Sequence, residues 1–295
     1  MNKAVIFNQN NYINPSYAHY NGLAGFQDYG SNGIKLKNNL INCWRENLIN
    51  AENIFEIEVP TIMPYDILKA SGHVERFTDY VVYDRNGVIY RADHLVKEYY
   101  KNDPNINVDA MTQEELEKII NDKKLIDIDE GVVVSVSKKN LMFNMKDNNG
   151  TISFLRPELA QGIIVNFNRY LTCANHKMPI GIASVGKSYR NEISTKHFTR
   201  LREFTQAELE YFVDPLNKSD PKILEGIDLN IKIPINTGSV TLQEMLDSKK
   251  VSSFIMLSFI YKIFQRPFAK HQIHLRQYIK TRKRRDHQTD ENRNL

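Results

Sequence analysis

The chain has 295 residues, 41% of them apolar and 25% charged, with a net charge of +4. This is the composition of a soluble globular protein with ample core material, and the length fits about two domains. Cys43 and Cys173 lie far apart with no ligand-like spacing, no apolar run approaches a membrane span, and residues 1–22 lack the features of a signal or transit peptide. A disulfide framework, a protein zinc site and a membrane protein are therefore excluded, and the cytoplasm is expected. The mild positive charge permits nucleic-acid binding without arguing for it.

Residues 13–33 are rich in Tyr, Asn and Gly and read as a turn-rich loop. Ile34, Leu36, Leu40, Ile41, Trp44, Leu48 and Ile49 then recur at helical spacing, which predicts an amphipathic helix ending near Asn53. A strand is expected over 54–63, closed by Pro64. In the segment LKASGHVERFTD (68–79), His73 has the character of a structural turn histidine and is given no catalytic role. Two short β runs at 81–92 flank Asp84-Arg85-Asn86-Gly87, a hairpin signal. Residues 95–132 form a charged helical insertion in which Thr112 and Glu115 make a capping-box start. A strand is expected over 140–145, then an Asn-Asn-Gly turn, then TISFLRPELAQGIIVNF. There Pro157 precedes a short helix over 159–167, which puts Glu158 near the first turn, where a carboxylate also suits the helix dipole.

Residues 185–215, VGKSYRNEISTKHFTRLREFTQAELEYFVDP, read as strand, charged loop, strand. Period-2 spacing places Arg202, Phe204, Gln206, Glu208 and Glu210 on one face. Charges on such a face are costly unless paired. Arg190 and Arg200 can grip phosphate oxygens, Phe204 can stack a base, Glu192 can accept from an exocyclic amine, and Glu208 can pair with an ammonium. The ligand with all these features is a nucleotide beside an amino acid. An antiparallel hairpin whose charges pair across strands has the same pattern. After 215, residues 216–238 read as a small β element, 253–264 as a buried helix, and 279–295 as a basic, disordered tail.

YRNE…RLREF resembles motif 2 of the class II aminoacyl-tRNA synthetases. RNEIS with LREFTQAELEYFVDP, FLRPELAQGIIVNF, ILKASGHVERFTD and YRADHLVKE resemble the glycyl-tRNA synthetases of eukaryotic and archaeal type, over roughly residues 12–214. The resemblance implies an α/β (α+β) class II catalytic fold, a mainly antiparallel sheet flanked by helices and incomplete at its C-terminal end. It divides the chain into catalytic domain with motif 1 (1–95), insertion (96–132), catalytic domain with motif 2 (133–215), second insertion and following helix (216–277) and tail (278–295). The implied activity is ATP-dependent formation of glycyl-adenylate and transfer of glycine to tRNA(Gly). Arg190 and Glu192 are the implied catalytic residues. Arg190, Asn191, Glu192, Arg200, Leu201 and Phe204 are the implied ATP set, and Glu158 and Glu208 hold the glycine ammonium. Magnesium is expected on the ATP phosphates rather than in a protein cage, and a homodimer is expected through motif 1. Glycine offers no side chain to grip, and one methylene is worth only about 1–3 kcal/mol, so a tight stop and a firm hold on the ammonium are needed. No counterpart of motif 3 is found, which leaves a catalytically incomplete dimerisation or tRNA/ATP-binding module as the alternative.

Overall fold

The structure, a computed structural model, describes residues 10–49, 54–101, 103, 106–129, 132–214, 224–235 and 238–248. The segments expected at 253–264 and 278–295 lie outside the described residues. The chain divides into two compact units, Met1–Phe212 and Val213–Leu295.

In the first unit β1 (Ile13–Pro15) and β2 (Gln27–Tyr29) make a short antiparallel ribbon. Helix α1 (Ser31–Trp44) follows and runs into a π-turn, Arg45–Ile49. Its apolar stripe is the expected one, but Ile34, Leu36 and Leu40 stay exposed and Gly33 is the helix's buried residue. The strand expected over 54–63 is in fact two, β3 (Ile54–Glu56) and β4 (Ile62–Pro64), which join different sheets. Pro60 has no N–H for a ladder, and the Arg156 guanidinium takes the carbonyls of Val59 and Pro60, at 2.7 and 3.4 Å.

Helices α2 (Tyr65–Ala70) and α3 (His73–Arg76) lead to β5 (Thr78–Tyr83) and β6 (Ile89–Arg91). Their turn is the one expected: Gly87 has φ +76°, and Asp84 Oδ1 accepts from the N–H groups of Asn86 and Val88 at 2.9 and 2.8 Å. Helices α4 (Ala92–Tyr99) and α5 (Gln113–Asp122) follow, and α5 opens on the expected Thr112–Glu115 capping box. Ala92, Val96, Leu116 and Ile120 are buried together with Val82, Val134 and Val136, so α4 and α5 share one core with β5 and the segment 134–136.

The strand expected over 140–145 is likewise two, β7 (Ser137–Asn140) and β8 (Asn144–Lys146). Asn140 turns the chain: its Oδ1 accepts from Met142 N at 2.8 Å, while its amide donates to the carbonyls of His73 and Val74. Then come β9 (Ile152–Leu155), α6 (Ala160–Val165), α7 (Phe167–Cys173), β10 (Ile180–Tyr189) and β11 (Glu203–Phe212). The three-stranded sheets are β11-β10-β3, β4-β9-β8 and β6-β5-β7. The β10–β3 pairing is parallel and the other pairings described are antiparallel, so the architecture is the mixed, mainly antiparallel α/β one expected. Ile180 and Ile182 of β10 bury against Leu159, Ile163 and Ile57, each such side chain contributing about 1.5–3 kcal/mol.

In the second unit β12 (Lys232–Ile235) and β13 (Gly238–Thr241) form a hairpin, followed by α8 (Leu242–Asp247) on a second capping box, Thr241–Glu244. Among its described residues, Ile233, Leu242 and Met245 are buried together.

Arg156 is 2% exposed and lies where a Cβ on Gly186 would stand, 2.2 Å from Nη2. The guanidinium is anchored to carbonyls and has little freedom to yield. Gly186→Ala is therefore expected to lower the unfolding free energy by about 1–3 kcal/mol, read from the urea midpoint at unchanged m value.

Candidate functional site

The ten-residue antiparallel register of β10 and β11 sets Phe204 opposite Ser188, Gln206 opposite Gly186, Glu208 opposite Ser184 and Glu210 opposite Ile182. One face of the hairpin therefore carries Ser184, Gly186 and Ser188, all small, on one strand, and Phe204, Gln206, Glu208 and Glu210 on the other. The loop at 156–159 lies over the small side, with Arg156 and Leu159 both within reach of Gly186. Arg156 Nε donates to Lys187 O at 2.8 Å, and its own carbonyl accepts from Tyr189 N at 3.0 Å. This clamp presents Pro157 and Glu158 to the polar side.

At one end of the face the carboxylates collect. Glu158 Oε1 accepts from Gln161 Nε2 at 2.7 Å and stands 3.3 Å from His73 Nε2. Glu208 Oε2 accepts from Leu159 N at 3.1 Å. The hydrogen bond from His73, helped by Gln161 and by the charge of Arg190, holds the Glu158 carboxyl down at about 2. Burial, and then the negative charge of Glu158, pushes Glu208 up to about 7. Burial and Glu158 also raise Glu210. Carboxylates so placed invite a cation: an ammonium among them would relieve their repulsion and draw Glu208 into its charged form.

At the other end stand the arginines. The Arg190 guanidinium lies between two rings, 5.4 Å from the centre of Phe77 and 5.3 Å from that of Phe204, and its Nε donates to Pro157 O at 3.1 Å. Phe204, expected to carry a base, thus has a guanidinium against its ring. Asn191 is tied through its N–H to Leu141 O at 2.7 Å. Arg200 has a buried Nη1 with no partner among the described residues, a donor of the kind that phosphate oxygens accept from. Glu192 is 8% exposed, and burial raises its carboxyl against the opposing charge of Arg200. Its backbone carbonyl accepts from Arg202 Nε and Nη2 at 3.2 and 3.1 Å. Arg91, on β6, bridges Asp79 and Asp93 at 2.8 Å each, and the charges of Asp79 and Arg91 both act on Glu192. A cavity of about 160 Å³ beside the hairpin shares Leu201 and Phe204 with this end and is also lined by Lys187 and Glu203.

The fold therefore gathers Glu158 with Glu208, and Arg190 with Phe204, along one face, with Gln206 between them. Gln206 Oε1 and Gln161 Oε1 are buried without a partner among the described residues, polar atoms of the kind a ligand satisfies. Sequence reasoning read His73 as a structural histidine and did not single out Phe77 or Gln161. His73 and Phe77 are some eighty and more residues from the groups they touch, and no spacing rule connects them. Gln161, three residues from Glu158 at a helix start, carried a signal that an i, i+3 search would find.

The fold favours protonated Glu208, whose ordinary value is 4.5. Its contribution is fully present below pH 4.5 and is lost as pH rises to about 7. Glu158 acts oppositely, its contribution being lost as pH falls from 4.5 toward 2. Glu208→Gln is expected to raise the unfolding free energy at pH 8 by about 1–2 kcal/mol after allowance for solvent screening. Urea denaturation should find that gain gone at pH 4.

The family model described as tRNA synthetase class II core domain (G, H, P, S and T) matches residues 143–233. The chain is 40% identical over 245 residues to glycine–tRNA ligase 2 of Saccharomyces cerevisiae, covering 76% of this chain and 39% of that protein. It is 44% identical over 217 residues to glycine–tRNA ligase of Methanocaldococcus jannaschii, covering 72% and 37%. To that of Methanococcus maripaludis it is 41% identical over 243 residues, covering 80% and 41%. It thus spans about two fifths of the length of these relatives. With the class II core matched and this identity running through the hairpin and the Glu158 loop, the chain is a homologue of the glycine–tRNA ligases, enzymes of the class II aminoacyl-tRNA synthetase family.

Proposed function

We propose that this chain carries an adenylation site that joins glycine to ATP, for transfer to tRNA(Gly). The observation that carries the reading is the single hairpin face with paired carboxylates, Glu158 and Glu208, at one end and the ring-held Arg190 at the other. In this reading the ammonium of glycine sits between Glu158 and Glu208, and its carboxylate oxygen attacks the α-phosphorus of ATP in line, expelling pyrophosphate. Arg190 holds the α-phosphate and neutralises charge that builds on it. Arg200 takes the outer phosphates, Phe204 and Asn191 border the base, Leu201 closes the adjoining wall, and Glu192 accepts from the adenine amine. Magnesium on the ATP phosphates supplies further charge neutralisation when bound. The terminal hydroxyl of tRNA(Gly) then attacks the adenylate. The exposed side chains Ile34, Leu36 and Leu40 support a homodimer through α1. The division into catalytic parts and insertions at 95, 132, 215 and 277 is part of this reading, as is the cytoplasm as its compartment.

The test is glycine-dependent ATP–pyrophosphate exchange on the purified chain. Exchange is expected, with Arg190→Ala reducing it about 100-fold or more. Glu208→Gln should raise the glycine concentration for half-saturation about tenfold, the loss of one charged hydrogen-bond partner. Glycine and ATP binding without any exchange would replace this reading by the binding module.

A further inference from the structure

We propose that residues 71–77 are a two-sided support for the site, in which His73 positions the Glu158 carboxylate and Phe77 positions the Arg190 guanidinium. The inference rests on the reading of the site just given and adds positioning residues to it.

The segment is held from below. Gly72 has φ +78° and starts α3 in the left-handed region, where a side chain is strained. The amide of Asn140 donates to both His73 O and Val74 O, at 3.2 and 2.8 Å. Leu141 N donates to Phe77 O at 2.9 Å, and Leu141 O in turn receives Asn191 N. One short stretch, 140–141, therefore fixes α3 and the start of the arginine loop together.

The two side chains then reach opposite halves of the face. The His73 side chain is 14% exposed, lies against the Phe77 ring at 5.5 Å, and has Ser71 Oγ 2.8 Å from Nδ1. Only Nε2 is left to meet Glu158, and it does so at Oε1, the oxygen Gln161 also holds. With both partners on one oxygen, the other is left for a ligand. Phe77 presents its ring to Arg190, whose guanidinium is then confined between Phe77, Phe204 and Pro157 O. Its terminal nitrogens are the part left for an anion.

A support of this kind predicts separable effects on the two ligands. Glycine and ATP are each titrated calorimetrically into the purified chain and its variants. His73→Ala is expected to weaken glycine about tenfold and leave ATP within about twofold, as follows from removing one charge-assisted hydrogen bond. His73→Gln, whose amide can reach Glu158, should recover most of that affinity. Phe77→Leu should do the reverse, weakening ATP about threefold to tenfold with glycine unchanged. Should His73→Ala not fold, Ser71→Ala frees Nδ1, at the cost also of the Ser71 Oγ bond to Leu68 O, and should weaken glycine about threefold with ATP unchanged. Variants that lose both ligands in parallel, or neither, overturn the proposal while the adenylation reading stands. A wild-type chain that binds neither ligand overturns that reading, and this inference with it.

Discussion

A buried guanidinium with no ion-paired carboxylate among the described residues is an expensive thing to fold, because desolvation falls on a charge that cannot be shed. Burial does bear on Arg156, lowering its pKa. The charges of Glu58 and Glu208 favour it without ion-pair contact, and backbone oxygens hold it directly: those of Val59, Pro60 and Lys187 accept from its side chain. Those carbonyls come from the break between β3 and β4 and from β10, just beyond the short parallel pairing of β3 with β10. The cost of burial is what makes the arrangement specific, since any register that removed one carbonyl would leave a charged donor unpaired. Much else follows from this. Position 186 has no room for a side chain, β3 cannot continue into β4, and Pro157-Glu158 is delivered to the polar side of the hairpin.

On that polar side burial and hydrogen bonding set the two carboxyls apart. Glu158 has His73, Gln161 and the field of Arg190 to favour its charge, while Glu208 is raised by burial and then by the anion of Glu158, against one backbone N–H. The result is one carboxyl firmly ionised and one poised near neutrality, within reach of a single small ligand. Such a pair holds a cation more selectively than two fully charged groups in water would, because the second charge is completed by the ligand itself. At the arginine end the opposite problem, a cation facing a cleft, is handled by ring faces that confine Arg190 without neutralising it.

Support comes from parts that look unremarkable in isolation. Asn140, at the end of β7, spends its whole carboxamide on backbone groups: Met142, His73 and Val74. With Leu141 it couples the α3 turn to Asn191. The two ends of the ligand face are thus braced by one strand terminus, and their relative spacing is a property of the sheet rather than of either loop.

The alternation from Phe204 to Glu210, the Asp84–Gly87 turn, the Thr112 capping box and the stripe of α1 were all legible in the sequence, because each depends on residues a few positions apart and on a fixed period, whereas Arg202 lies before β11 and turns to Glu192 O. The residue types on the hairpin face, with the family pattern they carry, were enough to name the ligand chemistry expected there. What could not be read were meetings across long separations: His73 with Glu158, Phe77 with Arg190, Arg156 with the carbonyl of Val59. The two strands expected whole, 54–63 and 140–145, failed for the same reason, since distant partners claimed their backbone groups in the middle. Local periodicity determined which side of each element would be polar or apolar. Only tertiary packing decided which polar groups would meet, because a buried charge or amide takes whatever partner the fold brings within about 3 Å, regardless of its place in the chain.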